Sequence, residues 1–317
     1  MNVIVTGAAG LVGAEVCVRL AVAGHNVLGL THHRKPPFPT TPSVQWFAAD
    51  VTRPDLGLPP RSVDRLRADR CVLVHAAAVT AFGRDDSVYD AVNVGGTAHA
   101  LALAGRGEMP FVHISTAYVD QPYANGYERS KAAAESLVHG SGVDAVVIRP
   151  SIVVGAEATG AIRLFRHMYV LLRLVLEGKV GVLPGRYDAC LDLVPVDRVA
   201  DLVTDVVQRF GEVRNSTLPA IAGSPVTLRE CSEVFAEYPS FRVPRFVPPD
   251  VFRPDALPDT QRRYHDRVVR LYEPYLRSRT VFDDSATRAF HGRRPELTGV
   301  AHLRRLLDYC LAMGYLR

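Results

Sequence analysis

Short apolar runs alternate with amphipathic stretches along the first half of the chain. Asn2–Thr6, Asn26–Thr31, Val44–Ala48, Cys71–His75, Pro110–Ser115 and Val143–Arg149 are apolar, β-branched-rich runs of strand length. Leu11–Val22, Asp90–Ala104 and Tyr127–Val138 carry apolar residues at helical spacing. Strand, helix, strand repeated in this way predicts a parallel sheet covered on both faces. The pattern changes near Gly155. Ala161–Leu176 predicts one amphipathic helix with Arg163, Arg166 and Arg173 off its apolar face. Asp197–Phe210 predicts another, with Asp197 as N-cap; Thr227 opens a third, and Val300–Met313 forms the last. Lys35–Pro42 is a proline-rich surface loop.

Thr6-Gly7-Ala8-Ala9-Gly10-Leu11-Val12-Gly13 follows the first strand and opens the first helix, which is the context a dinucleotide fingerprint requires. Gly7 allows the tight turn, Gly10 lets backbone approach a pyrophosphate, and Gly13 lets the helix pack on the strand. The pyrophosphate then meets free N–H groups and the helix dipole, with Ala9, Leu11 and Val12 around it. The expected fold is therefore α/β, a Rossmann-type doubly wound parallel sheet with a smaller, mostly helical C-terminal substrate lobe. Residues 1–158 and 186–222 are assigned to the dinucleotide-binding domain, and 159–185 and 223–317 to the substrate lobe.

The end of the second strand discriminates between cofactors. NAD-specific sites usually place an acid there. This chain has Leu30-Thr31-His32-His33-Arg34-Lys35 instead. Arg34 can grip a 2′-phosphate, aided by His33 or Lys35, with a hydroxyl from Thr31, so NADPH is the expected cofactor. Asp50, followed by Val51 after the third strand, is placed to accept from the adenine amino group. His75, Ala76 and Ala77 at the end of the fourth strand are further cofactor-binding candidates. So are Pro150, Ile152 and Val153 after the sixth.

Tyr127-Glu128-Arg129-Ser130-Lys131 puts a phenol and an ammonium on one helix face. A free tyrosine has a pKa near 10, and a neighbouring Lys⁺ favours the phenolate. Upstream, the run His113-Ile114-Ser115-Thr116-Ala117-Tyr118-Val119 ends a strand with two hydroxyls. Thr116 or Ser115 can bond a substrate oxygen beside the tyrosine. Thr80, Phe82 and Tyr118 can floor a substrate site.

The glycine fingerprint, a strand-end hydroxyl and Y-x-x-x-K, in this order, resemble the extended short-chain dehydrogenase/reductase superfamily, of the NAD-dependent epimerase/dehydratase type. His75-Ala76-Ala77-Ala78 and Asn93-Val94-Gly95-Gly96-Thr97 are similar to its strand-four and following-helix signatures. The resemblance implies a triad of Thr116, Tyr127 and Lys131, with Asn93 supporting the helix near the site. HAAAVTAF, HISTAYV, NGYERSKAAAE, VIRPSIVVG and LVPVDRVAD together resemble the fatty acyl-CoA reductase and thioester reductase branch. That likeness implies hydride transfer to an acyl thioester, bound to CoA or a carrier protein, or to the derived aldehyde. It is also compatible with a homodimer. Thr116 and Tyr127 stand only 11 residues apart, so the insertion of acyl-CoA reductases is absent here. Two other functions compete. A sugar-nucleotide epimerase, dehydratase or ketoreductase would use the same triad, but Val119-Asp120-Gln121 replaces the V-Y-G of those enzymes. A non-catalytic NADP-sensing protein would be expected to lose Tyr127 or Lys131.

Composition narrows the remaining classes. The chain has 317 residues, 48% hydrophobic and 22% charged, as expected of a globular protein. Its net charge is +4. Residues 241–317 carry 15 arginines, no lysine and 9 acids, which reads as a solvated basic surface. No basic run is interleaved with aromatics, so nucleic acid is not an expected partner. No apolar stretch is long enough for a membrane span, and the start MNVIVTG lacks the pattern of a secretory signal. Five scattered cysteines without C-x-x-C argue for a reducing cytoplasm and against a zinc site; no metal is expected. No G-x-S-x-G occurs, so a nucleophile-elbow hydrolase is not expected. His75 and His113, inside or ending strands, read as packed core histidines, and Asp283-Asp284 as surface.

Overall fold

The computed structural model describes residues 1–33, 38, 40–69, 71–292 and 298–317. In chain order the elements are β1 (Asn2–Thr6), α1 (Leu11–Val22), β2 (Asn26–Thr31), β3 (Val44–Ala48), α2 (Pro60–Ala68), β4 (Val72–His75), α3 (Asp86–Tyr89), α4 (Gly96–Arg106), β5 (Phe111–Ile114), α5 (Gly126–Gly140) and β6 (Ala145–Pro150). Then come β7 (Ile152–Val154), α6 (Met168–Leu176), β8 (Val182–Pro184), β9 (Cys190–Leu191), β10 (Leu193–Pro195), α7 (Val196–Gln208), α8 (Phe210–Val213), β11 (Thr217–Ala220), β12 (Val226–Thr227), α9 (Leu228–Ala236) and β13 (Arg245–Val247). The chain ends with α10 (Asp259–Tyr264), α11 (Arg270–Arg277), α12 (Ser285–His291) and α13 (Val300–Ala312).

Two compact units result. The first comprises Met1–Ser151, Val196–Ala220 and Asp283–Arg293; the second comprises Ile152–Pro195, Ile221–Phe282 and Arg294–Arg317. The first holds a seven-stranded sheet in the order β11-β6-β5-β4-β1-β2-β3, every neighbouring pair parallel. Order reverses between β1 and β4, which is where doubly wound sheets open a crevice at their carboxyl ends. One face of the sheet is closed by Val63 and Leu66 of α2, Leu101 and Leu103 of α4 and Val138 of α5, packed on Ile4, Leu73, Phe111 and Val147. On the other face α1 packs against α7, and Arg19 of α1 pairs with Asp201 of α7 at 3.1 Å. The expected doubly wound parallel sheet is present.

Two glycines in the first turn are required by space. Gly7 has φ +63°, and a Cβ there would lie 2.6 Å from the Ala77 Cα. A Cβ on Gly13 would lie 2.3 Å from the Gly7 carbonyl oxygen. The first turn, the start of α1 and the end of β4 therefore touch through bare backbone.

Several expected elements differ. Asp90–Ala104 is not one regular helix: residues Asp90–Gly95 form a π-turn between α3 and α4. The Thr97 hydroxyl donates to the Asn93 carbonyl at 2.7 Å there. The helix expected over Ala161–Leu176 begins only at Met168. His167 turns to φ +52°, and Phe165 stacks on Tyr315 at 4.1 Å, so aromatic packing holds the earlier residues out of helical geometry. Asp197 is not an N-cap. Helix α7 already starts at Val196, and the Asp197 carboxylate accepts from the Arg198 N–H and pairs with Arg19. Thr227 does cap α9, in a reciprocal capping box with Glu230.

The second unit holds the short pairs β7–β10, β9–β12 and β8–β13 among its helices. Buried Asp192 accepts from the Ala222 N–H at 2.8 Å, and the Tyr169 hydroxyl accepts from the Gly155 N–H at 2.9 Å. All five cysteines are free thiols. Among the described residues no helix is long and apolar enough to cross a membrane.

Leu73, in the central strand β4, is fully buried. Leu73→Ala should lower the unfolding free energy by about 2–5 kcal/mol, read from a denaturant midpoint. Val22→Ala, at an 83% exposed position, should change it by less than about 0.5 kcal/mol.

Candidate active site

The carboxyl ends of β1, β2, β4 and β5 carry most of the residues singled out above. Gly10 caps α1 in extended conformation, and the first N–H groups of that helix, from Leu11 onward, have no intrahelical acceptor. Ala9 lies within the same turn. The Gly7 approach to Ala76 and Ala77 leaves no room for side chains, and it is held by Thr6, whose hydroxyl accepts from both of their N–H groups at 3.2 Å. A backbone cradle at a helix N-terminus, closed by bare glycine, fits a dinucleotide pyrophosphate.

No carboxylate follows β2. Thr31 is buried, while His32 and His33 are exposed, with ring centroids 3.5 Å apart. Arg34 and Lys35, expected to hold a 2′-phosphate, lie outside the described residues, as do Pro36, Pro37 and Pro39 of the proline-rich loop. Asp50 is bonded to the Thr52 hydroxyl and N–H, and these bonds hold its carboxyl below the usual carboxylate range. The adjacent Val51 carbonyl is 2.9 Å from His99 Nδ1. Pro150 ends β6 in the first unit, whereas Ile152 and Val153 belong to β7 in the second.

Asn93 sits in the π-turn and is a connector. Its Oδ1 accepts from the Val79 N–H at 2.7 Å, and its Nδ2 donates to the Val79 carbonyl and to Ser130 Oγ. It thus ties the loop after β4 to α5. The same loop is held by Tyr89, whose hydroxyl donates to the Ala81 carbonyl at 2.6 Å. Thr80 and Phe82 are half-buried in it, and the Phe82 ring lies 6.0 Å from that of Tyr127.

Helix α5 starts where Asn125 accepts from the Glu128 N–H at 3.0 Å and Glu128 accepts from the Ala124 N–H at 2.7 Å. This cap fixes Tyr127 in the first turn and Lys131 one turn on. Buried Thr116 caps the short 3-10 turn Ala117–Asp120 that follows β5 and includes half-buried Tyr118. The Thr116 hydroxyl accepts from the Tyr118 N–H at 3.4 Å. Ser115 is buried too, and its hydroxyl has no hydrogen-bond partner among the described residues.

Lys131 Nζ lies 3.2 Å from His113 Nε2. Burial, with Glu128 beside it, pushes the Tyr127 phenol above its ordinary value. Burial likewise pushes Lys131 down to about 8, against the charge of Glu135. At neutral pH the tyrosine therefore keeps its proton and most of the lysine stays charged. His75, under burial and the Lys131 charge, is pushed down to about 3, so it is neutral.

Four residues near the site were not singled out from the sequence as site residues: His113, Ser130, Glu135 and Arg149. Glu135 is buried and receives Arg149 Nη2 at 2.7 Å, while Arg149 Nη1 also pairs with Asp120. This pair links α5, β6 and the turn after Thr116. An acid one helical turn after Lys131 was visible in the sequence, but its pairing with Arg149 on the next strand was not.

The depressed Lys131 has a consequence for stability. Between pH 8 and its ordinary value the unfolded chain binds more protons there than the folded one, so stability rises with pH in that window. The native protein should gain on the order of 1–3 kcal/mol over Lys131→Met between about pH 8 and 10 in denaturant unfolding. A difference independent of pH would show that the lysine is not depressed.

Comparison with known proteins is consistent with this geometry. Residues 3–217 match the model of the NAD dependent epimerase/dehydratase family. The chain is 34% identical over 173 residues to the probable low-salt glycan biosynthesis reductase of Haloferax volcanii, covering 50% of this chain and 55% of that protein. It is 27% identical over 252 residues to a hybrid PKS-NRPS synthetase of Macrophomina phaseolina, covering 68% of this chain and 6% of that protein. The chain spans about half the length of several curated relatives it matches. In fold it is similar to the terminal R domain from the myxalamid PKS-NRPS biosynthetic pathway. The TM-score is 0.83 at 21% identity, over 100% of this chain and 92% of that one. Because the family model spans well over half of its residues, the chain belongs to the NAD dependent epimerase/dehydratase family.

Proposed function

We propose that the chain is an NADPH-dependent reductase of a carbonyl, with an acyl thioester on CoA or a carrier protein, or the derived aldehyde, as its substrate class. The observation that carries this is the placement of Tyr127: half-buried in the first turn of α5, 6.0 Å from the Phe82 ring, it keeps its phenolic proton at neutral pH and can give it to a carbonyl oxygen. A reduction needs that acid. The similarity to a hybrid PKS-NRPS synthetase and the fold shared with an R domain support a thioester substrate.

In this scheme the cradle from Gly7 to Val12 would hold the pyrophosphate. Thr31, His33 and Arg34 would take the 2′-phosphate, and Asp50 with Val51 the adenine. His75, Ala76, Ala77, Pro150, Ile152 and Val153 complete the proposed cofactor contacts. Bound NADPH supplies the hydride that reaches the carbonyl carbon. Tyr127 gives its phenolic proton to the carbonyl oxygen. Thr116, with Ser115 beside it, aligns that oxygen. Lys131 holds the nicotinamide ribose, and its charge stabilises the phenolate that remains. Asn93 keeps the loop bearing Thr80 and Phe82 against α5, where these residues and Tyr118 floor the substrate site. A thioester reduced in this way becomes a hemithioacetal, which releases the thiol and leaves an aldehyde; a second cycle gives the alcohol. The first unit acts as the dinucleotide-binding part and the second as the substrate lobe. Five free thiols fit work in the cytoplasm.

NADPH oxidation by the purified chain, offered a medium-chain acyl-CoA, the matching aldehyde, and NADH as control, tests this directly. Thioester-dependent NADPH oxidation is expected. Tyr127→Phe should lower turnover about 10²- to 10⁴-fold with cofactor affinity unchanged. Full turnover in that variant, or oxidation with no carbonyl substrate of either kind, would overturn the assignment.

A further inference from the structure

The chain holds only three lysines, Lys35, Lys131 and Lys179; its other fixed cations are arginines. Lys131 is 1% exposed. A buried ammonium with three N–H donors needs acceptors. The side-chain acceptor the structure offers it is His113 Nε2, at 3.2 Å. Glu135 acts on it through charge, while its carboxylate is engaged by Arg149.

The His113 ring is itself fixed. It is fully buried in β5 and stacks at 5.7 Å and 19° on His75, its register partner in β4. His75 Nδ1 lies 2.9 Å from Thr6 Oγ1. That hydroxyl already accepts from the Ala76 and Ala77 N–H groups, so its own proton goes to His75 Nδ1. The neutral His75 ring therefore carries its proton on Nε2. A chain of fixed groups thus runs from Thr6, at the foot of the glycine turn, through His75 to His113 and Lys131.

We propose that His113 is a positioning residue for Lys131: its neutral ring, locked against His75, accepts a hydrogen bond from the ammonium and so fixes both the direction and the charge of the lysine. Burial and the charges of Lys131 on α5, His75 on β4 and His139 on α5 all disfavour protonation of His113, which keeps the Nε2 lone pair available. The proton of the ring then sits on Nδ1. A histidine that merely filled space could be exchanged for leucine without effect on the lysine. The consequence for turnover rests on the function proposed above; the hydrogen bond is a property of the chain alone.

Three lysines make the test direct. The full chain, free of cofactor, is labelled with [13C]lysine and its Cε signals are followed by NMR against pH, with Lys131→Met assigning the signal. In the native chain that signal should titrate near 8. In His113→Leu the midpoint should fall by about one pH unit or more, and in His113→Gln, whose amide can still accept, it should stay within about half a unit. An unchanged midpoint in folded His113→Leu overturns the proposal. Should that variant not fold, [15N]histidine spectra of the native chain decide. His113 should be neutral with its proton on Nδ1 from pH 6 to 8, and its Nε2 signal should move in Lys131→Met. A protonated ring, the other tautomer, or an Nε2 signal indifferent to Lys131→Met overturns it equally. None of these readouts needs a substrate, so a chain inactive on thioesters leaves the result interpretable.

Discussion

The site depends on one close approach of backbone to backbone. Gly7 lies so near Ala76 and Ala77 that no side chain fits between them. The contact joins the two strands at which the order of the sheet reverses. Thr6 accepts the N–H groups of both alanines, so the approach leaves neither of them unpaired. Helix α1 can then begin immediately beyond the turn, and its free N–H groups face the crevice. A Cβ at Gly7 or Gly13 would push these three elements apart.

The second constraint is charge without water. Lys131 and His113 are buried, as are Glu135 and Glu128. Burial disfavours the ionised form of each such group unless a partner restores it. Three of these buried groups have a fixed partner. Glu135 has Arg149, Glu128 has the backbone at the start of α5, and Lys131 has His113. Tyr127 lacks such a partner, and it keeps its proton.

Much of this was legible in the sequence because it is local. β1, α1, β2 and β3 fall where apolar periodicity put them, each bounded by glycine, proline or polar residues. The motif turn and the cap of α9 are short-range devices and were read as such. The extended short-chain resemblance carried by the motifs agrees with the family match. What escaped was set by partners far along the chain. Residues before Met168 have helical spacing, but Phe165 is taken by Tyr315, about 150 residues away. Asn93 was legible as a support for the helix near the site, but its partners, Val79 in the loop after β4 and Ser130 of α5, are visible only in the structure. His113 read as core packing, which it is, but α5 brings Lys131 onto its ring. Tyr127 and Lys131 share one face of α5, as their spacing implied, but the contact of Lys131 with His113 was not visible in the sequence.

The central claim is that a hydride is delivered and kept by the substrate. It is tested most directly with NADPH deuterated at C4 of the dihydronicotinamide, mixed with a carbonyl substrate and analysed by mass spectrometry. One deuterium on the former carbonyl carbon of the product, with one oxidised cofactor per product, is the predicted result. Product without deuterium, or turnover that leaves the cofactor unconsumed, would contradict it and point to a site that only borrows the hydride.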